Sequence, residues 1–297
     1  MNGIINVYKE HGVTSFHVVA QLRSMLRVRK AGHTGTLDPI AEGVLPVCLG
    51  CATKFADLLI STDKQYVARF RLGAIYDTYD ITGSIVKVSD FQPRECAVRA
   101  ALSSFEGEPM LTVPAFSAKK INGLRAYDLA RKGEITDVGT APMAIHKIEL
   151  ISYNYPEGVF AVDCGKGVYV RSIIHELGLK LGSYAAMSGL ARSRCGPFYI
   201  KDALKLSDIK QIASEKRINE ILTPIDSVVD LPRAVVKSTA VKSVSRGMSP
   251  KAADYQSLPE ADACGRCLML SAEGKLIAFG VIQKDAPVPI KLSKVIS

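Results

Sequence analysis

At 297 residues with 47% hydrophobic side chains, the chain is long enough for about two domains with a proper core in each, and too apolar for disorder. No apolar run reaches membrane-spanning length, which excludes helical spans, and the start MNGIINVYKE lacks the charged, apolar and small-residue regions of a secretory signal. Seven cysteines, an odd number, point to free thiols in a reducing compartment and hence to the cytoplasm, and the net charge of +9, from 38 basic against 29 acidic residues, suits a polyanionic partner.

In chain order, GIINVYK reads as a short strand. Thr14 or Ser15 can then cap a helix whose apolar positions Val18, Val19, Leu22, Met25 and Leu26 share one face. Arg23, Arg27, Arg29 and Lys30 lead from that helix into GHTGTLDPIAEGVLPVCLGCATK, residues 32–54. There Asp38 is bracketed by glycines, a histidine, hydroxyls and Pro39; a carboxylate in such a loop can serve as nucleophile or base, although the same pattern also makes a tight turn. From Tyr66 the chain alternates, with Tyr66, Ala68, Phe70 and Leu72 on one side and Val67, Arg69 and Arg71 on the other, which predicts a strand with Tyr66 facing inward. Asp77 and Asp80 in DTYDITG read as an Asp-rich turn between strands.

Residues 109–133, bounded by prolines and carrying Lys119, Lys120, Arg125, Arg131 and Lys132, form a loop running into a short basic helix, a candidate for gripping substrate. Strands are expected at 145–153 and 159–164. The GKG at 165–167 leads into a helix with Ile173, Ile174, Leu177 and Leu181 on its apolar face; if 168–171 is extended, Tyr169 and Arg171 point the same way. The stretch 222–236 looks like a boundary, and CLMLSAEGKLIAFGVI, 267–282, is a hairpin turning at AEGK. The expected domains are 1–228, with an insertion at about 109–135, and a small β-rich tail, 229–297.

Several sites are set aside. Gly50 is followed by Cys51 where a phosphate loop needs Lys, and GxGxxG, HExxH and GxSxG are missing from the sequence. The pairs Cys48/Cys51 and Cys264/Cys267 could offer four thiolates to zinc, but they lie far apart and fit as small buried residues, so no metal is expected. His11, His17, His146 and His175 have no ligand-like spacing and read as ordinary surface or core residues.

Taken together, GHTGTLDPIAEGVLPVCLGCATK, DKQYVARFRLG, VPAFSAKKINGLRAYDLARKG, CGKGVYVRSIIHELGLKLG and SGLARSRCGPF resemble the TruB-type tRNA pseudouridine synthases over nearly the whole chain. The resemblance implies an α+β fold: a mixed, largely antiparallel sheet with flanking helices as catalytic core, plus a C-terminal PUA-like domain that rests on position and hairpin pattern. It implies isomerisation of uridine 55 in the tRNA T-loop, Asp38 as nucleophile, Tyr66 as stacking tyrosine and Arg171 as partner of the aspartate. His33, Tyr169 and Leu190 fall on substrate-contacting positions, and Arg29, Lys30, Lys119, Lys120 and Arg125 would hold T-arm phosphates. Phe116 stands where many relatives carry tyrosine.

The chemistry is coherent with these assignments. Uridine and pseudouridine have the same atoms, so no redox cofactor, ATP or metal is required; a carboxylate can hold the sugar or the base covalently while the detached uracil rotates. A guanidinium at Arg171 would favour the charged carboxylate. The base must be flipped out of the loop, and Tyr66 and Leu190 would wall its pocket, with Tyr66 also placed to move the proton from carbon 5. A stand-alone monomeric enzyme acting on tRNA, with no obligatory protein partner, is expected; the alternatives are a subunit directed by guide RNA, as in dyskerin proteins, and a tRNA-binding or folding protein without turnover.

Overall fold

The fold is that of a computed structural model of residues 1–297; residues 118, 122, 135–137, 260–264, 284–285 and 297 lie outside the described part, as do the side chains of Lys120 and Arg125. Among the described residues, no helix is long and apolar enough to cross a membrane.

An eight-stranded sheet organises the first three quarters of the chain. Its main path runs Gly3–Lys9, Ala41–Leu49, Ala185–Cys195, Lys64–Leu72, Glu157–Cys164, Ile145–Asn154, with Ala31–His33 and Phe198–Tyr199 attached at the sides. The pairings are antiparallel except between Ala41–Leu49 and Ala185–Cys195. The sheet is thus mixed and largely antiparallel, with helices Ser15–Met25, Glu95–Ser103, Val170–Leu181 and Leu206–Ser214 around it. This is the α+β class the sequence indicates.

Period-two patterning accounts for the central strand. Lys64–Leu72 buries every second residue, Tyr66, Ala68, Phe70 and Leu72 among them, and places Arg69 and Arg71 in solvent. The buried row joins one core with Leu37, Ile40, Phe160, Val162, Ile173, Ile174 and Leu177, so the helix Val170–Leu181 packs across the sheet. Where the Ala41–Leu49 strand passes Arg192, Gly43 has φ +101°, and a Cβ there would lie 2.4 Å from the Arg192 carbonyl oxygen. Only glycine permits that approach.

Two local expectations are refined. Thr14, not Ser15, caps the first helix, accepting from the His17 amide at 3.1 Å. Residues 168–171 are not a strand: Tyr169 is the cap residue and Arg171 lies in the first turn of the helix Val170–Leu181, because the apolar spacing of Val170, Ile173, Ile174 and Leu177 extends helical period back to Val170.

The tail forms a five-stranded sheet ordered Tyr255–Ser257, Arg233–Val236, Arg266–Ser271, Leu276–Ile282, Ile290–Val295, with its own buried cluster around Val236, Met269, Ala278 and Ile290. The hairpin turns at residues 272–275. The tail also packs on the larger unit: Phe279 stacks on Phe55 with centroids 4.0 Å apart, Lys54 Nζ donates to the Val295 carbonyl at 2.7 Å, and Lys294 Nζ donates to the Lys54 carbonyl. Cys48 and Cys267 belong to separate clusters, and Cys264 lies outside the described residues.

Candidate active site

Asp38 sits in irregular backbone between the strands Ala31–His33 and Ala41–Leu49. Its segment is tied down along its length. The Ser15 hydroxyl donates to the Leu37 carbonyl at 3.0 Å and accepts from the Leu37 amide at 2.9 Å. The Ala41 amide donates to the Asp38 carbonyl at 3.0 Å, and the Thr34 amide to the Pro46 carbonyl at 3.1 Å. Lys9, fully buried at the end of the first strand, donates to the carbonyls of Ala41 at 2.5 Å, Glu10 at 3.2 Å and Pro39 at 3.4 Å. Burial pushes its ammonium down to about 8, with the Asp38 charge pulling the other way. The carboxylate therefore projects from a fixed base.

Arg171 arrives from the first turn of its helix and meets Asp38 directly, with Nε 3.0 Å from Oδ2. Nη1 donates to the Thr78 carbonyl at 3.1 Å and Nη2 to the Phe116 carbonyl at 2.9 Å. Nη1 also lies 3.9 Å from Asp80 Oδ2. The Arg171 side chain is 8% exposed and that of Asp38 36%, so a buried fork holds a carboxylate that still opens to solvent. Asp80, read from sequence as a turn residue, is buried; its Oδ1 accepts from Thr82 N at 3.0 Å, Thr82 Oγ1 at 2.5 Å and Thr78 Oγ1 at 3.1 Å. It closes its turn and faces the guanidinium at once.

Tyr66 is buried in the same cluster as Leu37 and Ile40, flanking Asp38, and Tyr169 and Leu190 pack against that cluster partly exposed. In register, Leu190 lies opposite Ala68 and beside Ala41, and Arg192 lies opposite Tyr66. Tyr66, Leu190 and Arg192 thus share one face of the sheet. His33 accepts from the Gly35 amide at 3.3 Å through Nδ1, and burial, with the Arg192 charge second, holds its pKa below the usual imidazole value. Its neutral ring suits stacking or an apolar contact.

Among the expected RNA-backbone residues, Arg29 and Lys30 line a cavity of about 400 Å³ together with Arg27 and Lys54, a basic recess beside the contact with the tail. Lys119 turns inward, its Nζ 3.5 Å from the Val138 carbonyl. Lys120 and Arg125 pair across a two-stranded hairpin, and their side chains lie outside the described part. The short helix Ala126–Arg131 follows, and Phe116 meets Tyr127 edge-on at 6.0 Å. Phe116 contributes its carbonyl to Arg171, so a ring hydroxyl at this position is not what ties the segment to the site.

Sequence reading missed Lys9, Asp80 and Arg192. Arg192 carried a usable signal, since it stands two residues beyond Leu190 on a strand and must share its face. Lys9 ends a short strand, and its local spacing carries no sign of burial.

The mixed sheet with its flanking helices has the pseudouridine synthase fold. A solved Cbf5–Nop10–Gar1 complex matches with a TM-score of 0.75 and 27% identity, over 99% of this chain and 84% of that one. An H/ACA ribonucleoprotein bound to a substrate RNA containing 2'-deoxyuridine matches with a TM-score of 0.73 and 26% identity, over 99% and 85%. Residues 23–170 match the TruB family pseudouridylate synthase N-terminal domain, and residues 171–230 the tRNA pseudouridylate synthase B C-terminal domain. The tRNA pseudouridine synthase B of Clostridium tetani is 42% identical over 230 residues, 77% of this chain and 78% of that protein; the Clostridium novyi protein of the same name is 36% identical over 282 residues, 95% and 96% of the two chains. The chain belongs to the TruB family of pseudouridylate synthases, which are isomerases.

Proposed function

We propose that this chain isomerises uridine 55 in the T-loop of tRNA to pseudouridine, with Asp38 as nucleophile and no cofactor. The observation that carries the reading is the Asp38 carboxylate held at 3.0 Å by a buried arginine beside the cluster containing Tyr66, Tyr169 and Leu190. The flipped uracil stacks on Tyr66 and packs against Leu190, with His33 and Tyr169 at its edges. Asp38 makes the covalent bond that holds one half of the nucleotide while the freed uracil turns, and Arg171 keeps the carboxylate in place. Residues 1–228 form the catalytic domain, with the insertion at about 109–135 gripping the T-arm; residues 229–297 form a PUA-like RNA-binding domain. The basic recess at Arg29 and Lys30, with Lys119, Lys120 and Arg125 in the insertion, receives backbone phosphates.

The protein works as a monomer in the cytoplasm without an obligatory partner. The complexes containing Cbf5 favour a guide-directed reading at the level of fold, but the tRNA pseudouridine synthase B proteins are more similar in sequence, at 36–42% identity, and support action on tRNA.

Tritium release from an unmodified tRNA transcript labelled at uracil carbon 5, with the protein alone, tests the reading. Asp38→Asn should abolish release and leave tRNA binding within about threefold, because affinity comes from phosphate and shape contacts. A transcript with cytidine at position 55 should bind and yield no pseudouridine. Turnover by the Asp38→Asn variant, or a requirement for added guide RNA, would overturn it.

A further inference from the structure

The family resemblance set out above assigns Arg192 no role, yet it is among the largest fully buried side chains, 1% exposed. Its Nε donates to the Val44 carbonyl at 2.7 Å and its Nη2 to the Gly35 carbonyl at 3.1 Å, which fixes the plane of the guanidinium. Among the described residues it forms no ion pair with a carboxylate. Its cross-strand neighbour is Tyr66, in register on the same face of the sheet. A buried cation without a carboxylate is costly, and the side chain opposite it on the sheet is a phenol.

The geometry points to Arg192 as a positioning residue that fixes the Tyr66 hydroxyl and stabilises its ionised form, so that Tyr66 acts as the base that takes the carbon 5 proton. This rests on the proposed placement of the uracil against Tyr66. Once carbon 5 is bonded to the ribose, it carries that proton on a saturated centre. The phenolate takes the proton, the C–H electron pair re-forms the C5–C6 double bond, the C6–N1 pair moves to N1, and N1 takes a proton from water.

The surroundings leave Arg192 as the group acting on the phenol. Burial pushes the Tyr66 phenol up, and the Arg192 charge pulls it back. Cys164 and Cys195 face Tyr66 from the neighbouring strands and act in the raising direction; the Cys164 thiol is itself pushed up to about 12 by burial and stays neutral. Lys9, His33 and Lys64 are all held toward their neutral forms by burial, with the Arg192 charge acting the same way. Asp38 and Arg171 pair with each other.

The test places 3-fluorotyrosine at position 66 of the full-length protein and titrates its fluorine resonance in Arg192→Met, Arg192→Lys and the parent. The midpoint should rise by about one pH unit or more in Arg192→Met and by less in Arg192→Lys. Single-turnover tritium release near pH 7 should fall about tenfold per unit and recover as pH is raised, since the base is then short only of its ionised form. The more acidic 3,5-difluorotyrosine at position 66 should restore most of the rate in the Arg192 variants. If the variants fold and bind tRNA but lose rate equally at all pH values, with the fluorine midpoint unmoved, Arg192 is structural and the inference fails. If Arg192→Met does not fold, the Arg192→Lys midpoint and its rescue decide. A parent whose pH–rate profile ignores fluorination would remove Tyr66 as the base while leaving the Asp38 assignment to its own test.

Discussion

Replacing Arg171 by lysine keeps the charge and removes the fork, which separates the two things the guanidinium does. Two of its donors are hydrogen-bonded, to Phe116 O at 2.9 Å and Thr78 O at 3.1 Å, and Nε makes an ion-pair contact of 3.0 Å with Asp38 Oδ2. An ammonium at the end of a flexible stem can satisfy one or two of these, so at least one charge-assisted bond is lost, worth about 1.5–3 kcal/mol. If lysine keeps Asp38, the Thr78 or Phe116 carbonyl loses its donor and stability falls by about 2 kcal/mol. If it keeps the carbonyls, the Asp38 carboxylate is released, and with Asp38 in its proposed role a barrier raised by about 2–4 kcal/mol slows the reaction about 30- to 1000-fold. Because Arg171 is 8% exposed, water can replace little of either. Single-turnover tritium release and a urea unfolding midpoint on the same preparation read the two terms. Arg171→Lys within about threefold of the parent in rate, with an unmoved midpoint, would refute the reasoning.

Asp80→Asn removes a buried charge 3.9 Å from Arg171 but leaves an oxygen for Thr82, so release should slow about tenfold while the urea midpoint moves by about 1 kcal/mol or less; an unchanged rate would confine Asp80 to its turn. Lys9→Met leaves the Ala41, Glu10 and Pro39 carbonyls without their donor and should cost about 1–3 kcal/mol of stability by urea titration, with slower release from a looser Asp38 segment; a more stable variant would show that relief of burying the charge outweighs the bonds. His175 stacks on Tyr79 at 3.8 Å and 12°, and burial lowers its pKa. The fold therefore disfavours the protonated ring: its contribution is complete above about pH 6.5 and is lost as pH falls through the lowered value. His175→Phe keeps the stacked ring and should flatten the acid side of the stability profile in part, His33 supplying the remainder in the same direction; an unaltered slope would exclude His175.

Period and motif made much of this legible before any coordinates. The alternation from Tyr66 to Leu72 set which face is buried, and the motif segments set which carboxylate and which arginine should meet, as Asp38 and Arg171 do. What did not come through was the environment on the far side of each pair. Asp80 satisfies both a turn and an ion pair, and local spacing shows only the turn, because its partner is 91 residues away along the chain, from 80 to 171. Lys9 could not be told from a surface lysine, since its burial depends on the Pro39–Ala41 carbonyls converging over it. The start of the helix at Val170 was obscured by Tyr169 and Val170, which have strand propensity; tertiary packing of Ile173, Ile174 and Leu177 decides it.

The contacts of Arg171 also explain why a guanidinium stands there and not a simpler cation. Asp38 belongs to the loop after the Ala31–His33 strand, Thr78 and Asp80 to the turn beyond the central strand, and Phe116 to the root of the insertion. The helix adds two further ties to that root, Ser172 Oγ donating to the Thr112 carbonyl at 2.5 Å and Glu176 accepting from the Thr112 hydroxyl at 2.6 Å. One helix face therefore fixes the insertion at Thr112 and Phe116, and through a single planar fork the same face fixes the carboxylate. A movement of the insertion root large enough to break the Phe116 bond would free one arm of the guanidinium and with it the orientation of Nε toward Asp38. The placement of the Asp38 carboxylate and the placement of the insertion are, on this geometry, one mechanical problem, and only a side chain with several donors in a fixed plane can serve both ends of it.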